Sequence, residues 1–145
     1  MRSPVSTLEN EAVQTLTAVL EAIKNKDHTR LLDLHSSKGY TLYNDAPPYQ
    51  LLEDEMALRL KLSLLNQVQD ISYQLRDLHL NIYGDVAYAA YELEMSGILV
   101  YQYRFEGQRW VRRARCTTIM VREEGSWKIV HEHFSPIGPS SSATL

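Results

Sequence analysis

The chain has a single cysteine, Cys116, among 145 residues, so no internal disulfide can form and nothing in the sequence asks for an oxidising compartment. It also has no uninterrupted apolar run near the roughly 20 residues of a membrane-crossing helix, and its first residues hold no apolar core of signal-peptide length. A cytoplasmic location, away from membranes, is the expectation. Basic excess is missing as well: 15 Lys and Arg against 18 Asp and Glu give a net charge of −3, which argues against general nucleic-acid binding, where a positive balance supplies most of the affinity. Neither an internal repeat nor a linker interrupts the chain. What is present, 44% hydrophobic and 23% charged residues, suits one globular domain, expected over residues 1–138 with a disordered tail over 139–145.

The first half has helical spacing. Ser6 followed by Glu9 fits a capping box, and Leu16, Val19, Leu20 and Ile23 recur on one face, so a helix from about Thr7 to Lys24 is expected. Asp27 caps a short second helix carrying Leu31, Leu32 and Leu34, stopped by Ser36, Ser37 and Gly39. Proline at 47 and 48 marks a turn. From about Tyr49 to Gln67 the spacing predicts a third helix. Leu51, Leu58, Leu62 and Leu65 form its apolar face and Met56, Leu60 and Leu64 widen it, implying burial on more than one side.

After Ile71 the period becomes strand-like. Leu78, Leu80 and Ile82 alternate with polar residues, Gly84-Asp85 turns the chain, and Val86 to Met95 returns. Ser96-Gly97 has the look of a bulge before a further run to Phe105. A turn at Glu106-Gly107-Gln108 leads into the last hairpin, whose loop contains Gly125. Pairing Val121 with Trp127 would set Thr117 against His131 and Cys116 against Glu132. Alternation then places Cys116, Thr118, Met120, Val130, Glu132 and Phe134 on one face, and Arg115, Thr117, Trp127, Ile129, His131, His133 and Ser135 on the other. Helices first and an antiparallel meander after them predict an α+β domain.

The run Trp127-Lys-Ile-Val-His-Glu-His-Phe-Ser135, with Arg115-Cys-Thr117 before it, resembles the closing hairpin of SnoaL-like proteins of the nuclear transport factor 2-like superfamily. It is similar also to the calcium/calmodulin-dependent kinase II association (hub) domain. The resemblance runs from about Thr15 to Gly138, with Ala22 to Asp27 and Gly84-Asp85 as its other sharp parts. It implies a cystatin-like cone in which three N-terminal helices pack on a strongly curved antiparallel sheet and enclose a pocket. As a guide to function it is weak, since this fold hosts many activities.

Carrying the hub orientation over points Glu132 into the cavity among Tyr91, Leu93, Met95, Cys116, Thr118, Met120 and Phe134, the expected ligand-binding wall. A desolvated carboxylate there would titrate high, in the range of a general acid or base, with Tyr91 or Tyr101 as hydrogen-bond donor. The alternative is a structural glutamate bonded to a tyrosine or backbone. Hub cavities collect basic groups, whereas the matching positions here are Ala57, Leu93, Thr118 and Phe134. An apolar cavity without arginine and an apolar ligand follow. Ketosteroid-isomerase-like proton transfer without a cofactor is one reading, although that motif does not match residue by residue.

His131 and His133 share a face, but two ligands make a poor metal site, so no metal is expected. Hydrogen bonds to Thr117 or Ser135 at a dimer surface suit them better. The arginines Arg112, Arg113 and Arg115 around Trp110 are expected to be neutralised within the protein, with Arg113 opposite Tyr101 and Arg112 opposite Gln102, and to bind no nucleic acid. Cys116 fits a buried apolar position better than a nucleophile. Three functions stay open: a binder or proton-transfer enzyme for a small apolar molecule, a dimerising accessory module, and a carrier of a partner protein. A homodimer across the face holding Arg115, Thr117, His131, His133 and Ser135 is expected in each.

Overall fold

The computed structural model describes residues 4–100 and 107–137. Three helices, α1 (Pro4–Lys24), α2 (His28–Asp33) and α3 (Asp54–Asn66), accompany six strands. The strands are β1 (Thr41–Tyr43), β2 (Leu52–Glu53), β3 (Val68–Tyr83), β4 (Val86–Val100), β5 (Gly107–Glu123) and β6 (Ser126–Pro136). They form one sheet in the order β2-β1-β6-β5-β4-β3. Its long strands make the expected meander, but β1 joins parallel to β6, so the sheet is mixed, and it is not strongly curled. No helix among the described residues is long and apolar enough to cross a membrane.

Apolar periodicity explains α1. Ala12, Leu16, Val19, Leu20 and Ile23 are buried along one stripe, and α1 lies against β3 and β6. Each of the buried Leu, Val and Ile side chains contributes roughly 1.5–3 kcal/mol. Asp27 caps α2 as expected, its carboxylate accepting from the Arg30 amide at 3.1 Å. The third helix differs from expectation. It starts at Asp54, because Leu52–Glu53 pairs with β1 and Asp54 locks to Tyr40 in both directions. Its amide donates to the Tyr40 carbonyl (2.7 Å) and its carboxylate accepts from the Tyr40 amide (2.9 Å). Met56 is exposed, whereas Ala57 and Lys61 face inward.

Two register corrections decide what the sheet presents. The β4–β5 ladder runs without a break from Val86 to Val100, so the bulge expected at Ser96-Gly97 is not carried by β4, although β3 sets two residues, Asp70 and Ile71, opposite Gly97. The irregularities lie instead on β3, at Asp70 and Asp77, both in the left-handed region. This ladder pairs Val100 with Gly107, which sets Arg112 opposite Met95 and Arg113 opposite Glu94, rather than opposite Gln102 and Tyr101. In the last hairpin Arg122, not Val121, faces Trp127, and a shift between Ile119 and Met120 leaves Val130 unpaired. One extra residue inverts the facing of everything before it. Trp127 and Ile129 therefore join the core, Glu132 pairs with Thr118, and Cys116 pairs with Phe134.

The inner face is continuous: Ala87, Ala89, Tyr91, Leu93 and Met95 from β4 meet Ala114, Cys116, Thr118 and Met120 from β5. Tyr101 and the proposed tail over 139–145 lie outside the described residues.

Candidate functional site

At the helix end of the inner face, three segments bring polar groups to Glu132. The end of α2 runs beside β6, where the Ser36 amide donates to the Ile129 carbonyl and the Ile129 amide to Leu34 (both 2.9 Å), carrying His35 inward. Tyr40 enters from the start of β1, held by Asp54. Lys61 comes from α3. Its ammonium donates to Oε1 of Glu132 at 2.5 Å and to Nε2 of His35 at 3.3 Å, and the Tyr40 hydroxyl donates to the same Oε1 at 2.6 Å. All four side chains are buried.

The histidine tautomer follows from these contacts. Nδ1 of His35 donates to the Leu31 carbonyl at 2.6 Å, which leaves Nε2 with the lone pair that Lys61 needs as acceptor. Burial, and then the Lys61 charge, lowers the His35 pKa against the pull of Glu132, so the ring is neutral. Its Nε2 lies 3.7 Å from Oε1 of Glu132, too far for a hydrogen bond. Tyr40 is pushed well above its usual pKa by burial and then by Glu132, and stays protonated.

Glu132 overturns the expectation of a high pKa. Burial alone would raise it, but the charge and hydrogen bond of Lys61, with the Tyr40 hydroxyl also donating, oppose burial and hold the carboxyl below the usual carboxylate range. Oε1 accepts both hydrogen bonds. Among the described residues Oε2 accepts none.

Next to this cluster is a cavity of about 450 Å³. Leu16, Val19, Leu20 and Ile23 of α1 line one side, and Tyr91, Leu93, Met95, Glu132 and Phe134 of the sheet line the other. Of the residues expected in its wall, Cys116, Thr118 and Met120 are buried in the sheet without lining the cavity. Tyr91 shares a 3.0 Å hydrogen bond with Thr118, and burial pushes the Cys116 thiol up to about 12, so it stays protonated.

The expectation of an arginine-free cavity is also wrong. Arg112 lines it, stacked 4.7 Å from the Phe134 ring and bound through Nε and Nη2 to Asp45 at 3.0 and 2.8 Å, with Asn44 at 3.0 Å. Arg113 lies 3.6 Å from Glu94.

Parity could have revealed Arg112, since it shares the even-numbered face of β5 with Ala114, Cys116 and Thr118. Lys61 had a signal too, three residues after Leu58 and one before Leu62, inside the apolar stripe. For His35 and Tyr40 no local pattern exists. On the outer face, Nδ1 of His131 bonds Thr41 at 2.7 Å, and Tyr43 packs 6.3 and 5.4 Å from the rings of His131 and His133. Thr41 thus takes the place expected of Thr117 or Ser135, because β1 is the neighbour of β6.

Helices over one face of a mixed sheet, with a pocket between them, define the cystatin-like fold of the nuclear transport factor 2-like superfamily. The chain belongs to the SnoaL-like domain family, whose model matches residues 12–139. No curated protein matches significantly. Among solved structures, it is similar to a putative dehydratase of the NTF2-like family from Streptomyces avermitilis (18% identity, 93% of this chain, 99% of that one, TM-score 0.80). It is similar also to an NTF2-like superfamily protein from Salmonella enterica (17%, 94% and 95%, TM-score 0.75). A third is the association domain of CaMKII from C. elegans (18%, 92% and 99%, TM-score 0.73).

Proposed function

We propose that this domain binds a small, mainly apolar molecule in the cavity, with one polar end held against Lys61 and Glu132. The observation that supports it is a buried ion pair beside about 450 Å³ of otherwise largely aliphatic and aromatic space. A buried pair is often no more stabilising than a hydrophobic one of the same shape. Its position on the wall of a cavity is better explained by a ligand than by stability alone. Proton abstraction by Glu132 has less support, because a carboxylate held ionised by Lys61 and Tyr40 is a weak base. Binding is therefore preferred to isomerase-like chemistry.

Fluorescence titration with N-phenyl-1-naphthylamine tests this reading. Saturable binding to the native protein, lost in Leu93→Trp, is expected. Absence of binding, or binding unaffected by filling the cavity, would overturn it.

The proposal extends to a homodimer through the outer face. Tyr43 is 40% exposed there and makes a surface aromatic cluster with His131 and His133. Aromatic residues are enriched at protein interfaces.

A further inference from the structure

We propose that the cavity selects an electrically neutral ligand whose polar end both donates and accepts, as a hydroxyl, phenol or amide does, giving a hydrogen bond to Glu132 and taking one from Lys61. This rests on the cavity reading above and adds the class of ligand. Two independent observations lead to it.

The first is charge. Each charged side chain on the wall already has its counter-charge: Lys61 with Glu132, Arg112 with Asp45, and Arg113 with Glu94. His35 behind them is neutral. A ligand carboxylate would have to compete with Glu132 for Lys61, or with Asp45 for Arg112, and would leave a buried carboxylate unpaired. A ligand cation would face the same competition with the opposite sign. Burying an unpaired charge is far costlier than burying a hydroxyl that finds its partners.

The second is hydrogen-bonding capacity. An ammonium has three protons, and the described residues accept two of them, at Oε1 of Glu132 and Nε2 of His35. Likewise Oε2 of Glu132 receives no hydrogen bond from the described residues. One donor and one acceptor, on neighbouring side chains that both line the cavity, remain for a ligand. A pure hydrocarbon would leave both unmet. A group with one O–H or N–H and one lone pair meets both.

Calorimetric titration of the whole protein at neutral pH with four probes of one ring system separates the cases. These are 2-naphthol, 2-naphthoate, 2-naphthylmethylammonium and 2-methylnaphthalene. The expected result is that 2-naphthol binds about tenfold or more tighter than each of the others, a gap of one good hydrogen-bonded pair. In Lys61→Met/Glu132→Leu its advantage over 2-methylnaphthalene should fall to about twofold or less. Tightest binding by either charged probe, equal binding of naphthol and hydrocarbon, or a naphthol preference that survives the double substitution would overturn the inference while leaving the cavity reading intact. Binding by none of the four would sink the cavity reading itself. Should the double variant fail to fold, the order among the four probes on the native protein decides alone.

Discussion

Lys61 on α3 places its ammonium 2.5 Å from Oε1 of Glu132 on β6, across 71 residues of sequence and with both side chains buried. The pair determines the electrostatics around it. It keeps Glu132 ionised where burial would neutralise it, its Lys61 charge adds to the burial that keeps His35 neutral, and it gives the cavity a polar end with no net charge.

Removing one partner should be costly. Lys61→Met leaves the Glu132 carboxylate buried without its counter-charge, and a loss of about 3–5 kcal/mol is expected in urea unfolding. The double replacement Lys61→Met/Glu132→Leu should recover most of that loss. If Lys61→Met instead changes stability by less than about 1 kcal/mol, the pair is not buried as described.

Stability should fall with acid, in two windows of the same sign. Glu132 has a folded-state pKa below its ordinary 4.5, so the unfolded chain binds the proton more readily. Its contribution is complete above 4.5 and is lost as pH falls below it toward the folded value. His35 is likewise depressed from 6.5, and its contribution shrinks as pH falls below 6.5. Urea midpoints measured from neutral pH downward should decline, and the slope below about pH 4.5 should flatten in Glu132→Gln. Stability that rises on acidification would restore the raised-pKa expectation.

Gly97 is required by a close approach. A Cβ there would lie 2.5 Å from Cγ1 of Val68 and 2.7 Å from the Gln69 carbonyl oxygen, and that oxygen is backbone. Gly97→Ala should cost about 1–3 kcal/mol as β3 is forced away from β4. Chemical denaturation measures it, and a neutral substitution would mean that the two strands are further apart.

If two copies pair through the outer face, sedimentation at micromolar concentration should give twice the chain mass. Tyr43→Glu should then give monomers that still bind the apolar probe, because Tyr43 lies on the opposite side of the sheet from the cavity. A native monomer would remove the dimer proposal.

Sequence alone determined the three helices and the long strands, though not the short strand at Leu52–Glu53, because hydrophobic spacing, the Asp27 cap and the turns at Gly84 and Gly125 are local properties. It also pointed Glu132 inward, through the resemblance of the last strand to known hairpins. Only the tertiary structure decided what Glu132 meets there. Alternation along β6 could not anticipate the extra residue at Val130, which returns Trp127 and Ile129 to the core. Spacing along α3 made Lys61 one polar residue in an apolar stripe, and nothing near Tyr40 or His35 in sequence refers to a strand some 90 residues later. The direction of a pKa shift depends on which opposing effect is larger at one point in space. Burial was foreseeable from the resemblance of the last strand, but the charge that outweighs it arrives from another element, and only the packing of α3 against the sheet brings it within reach.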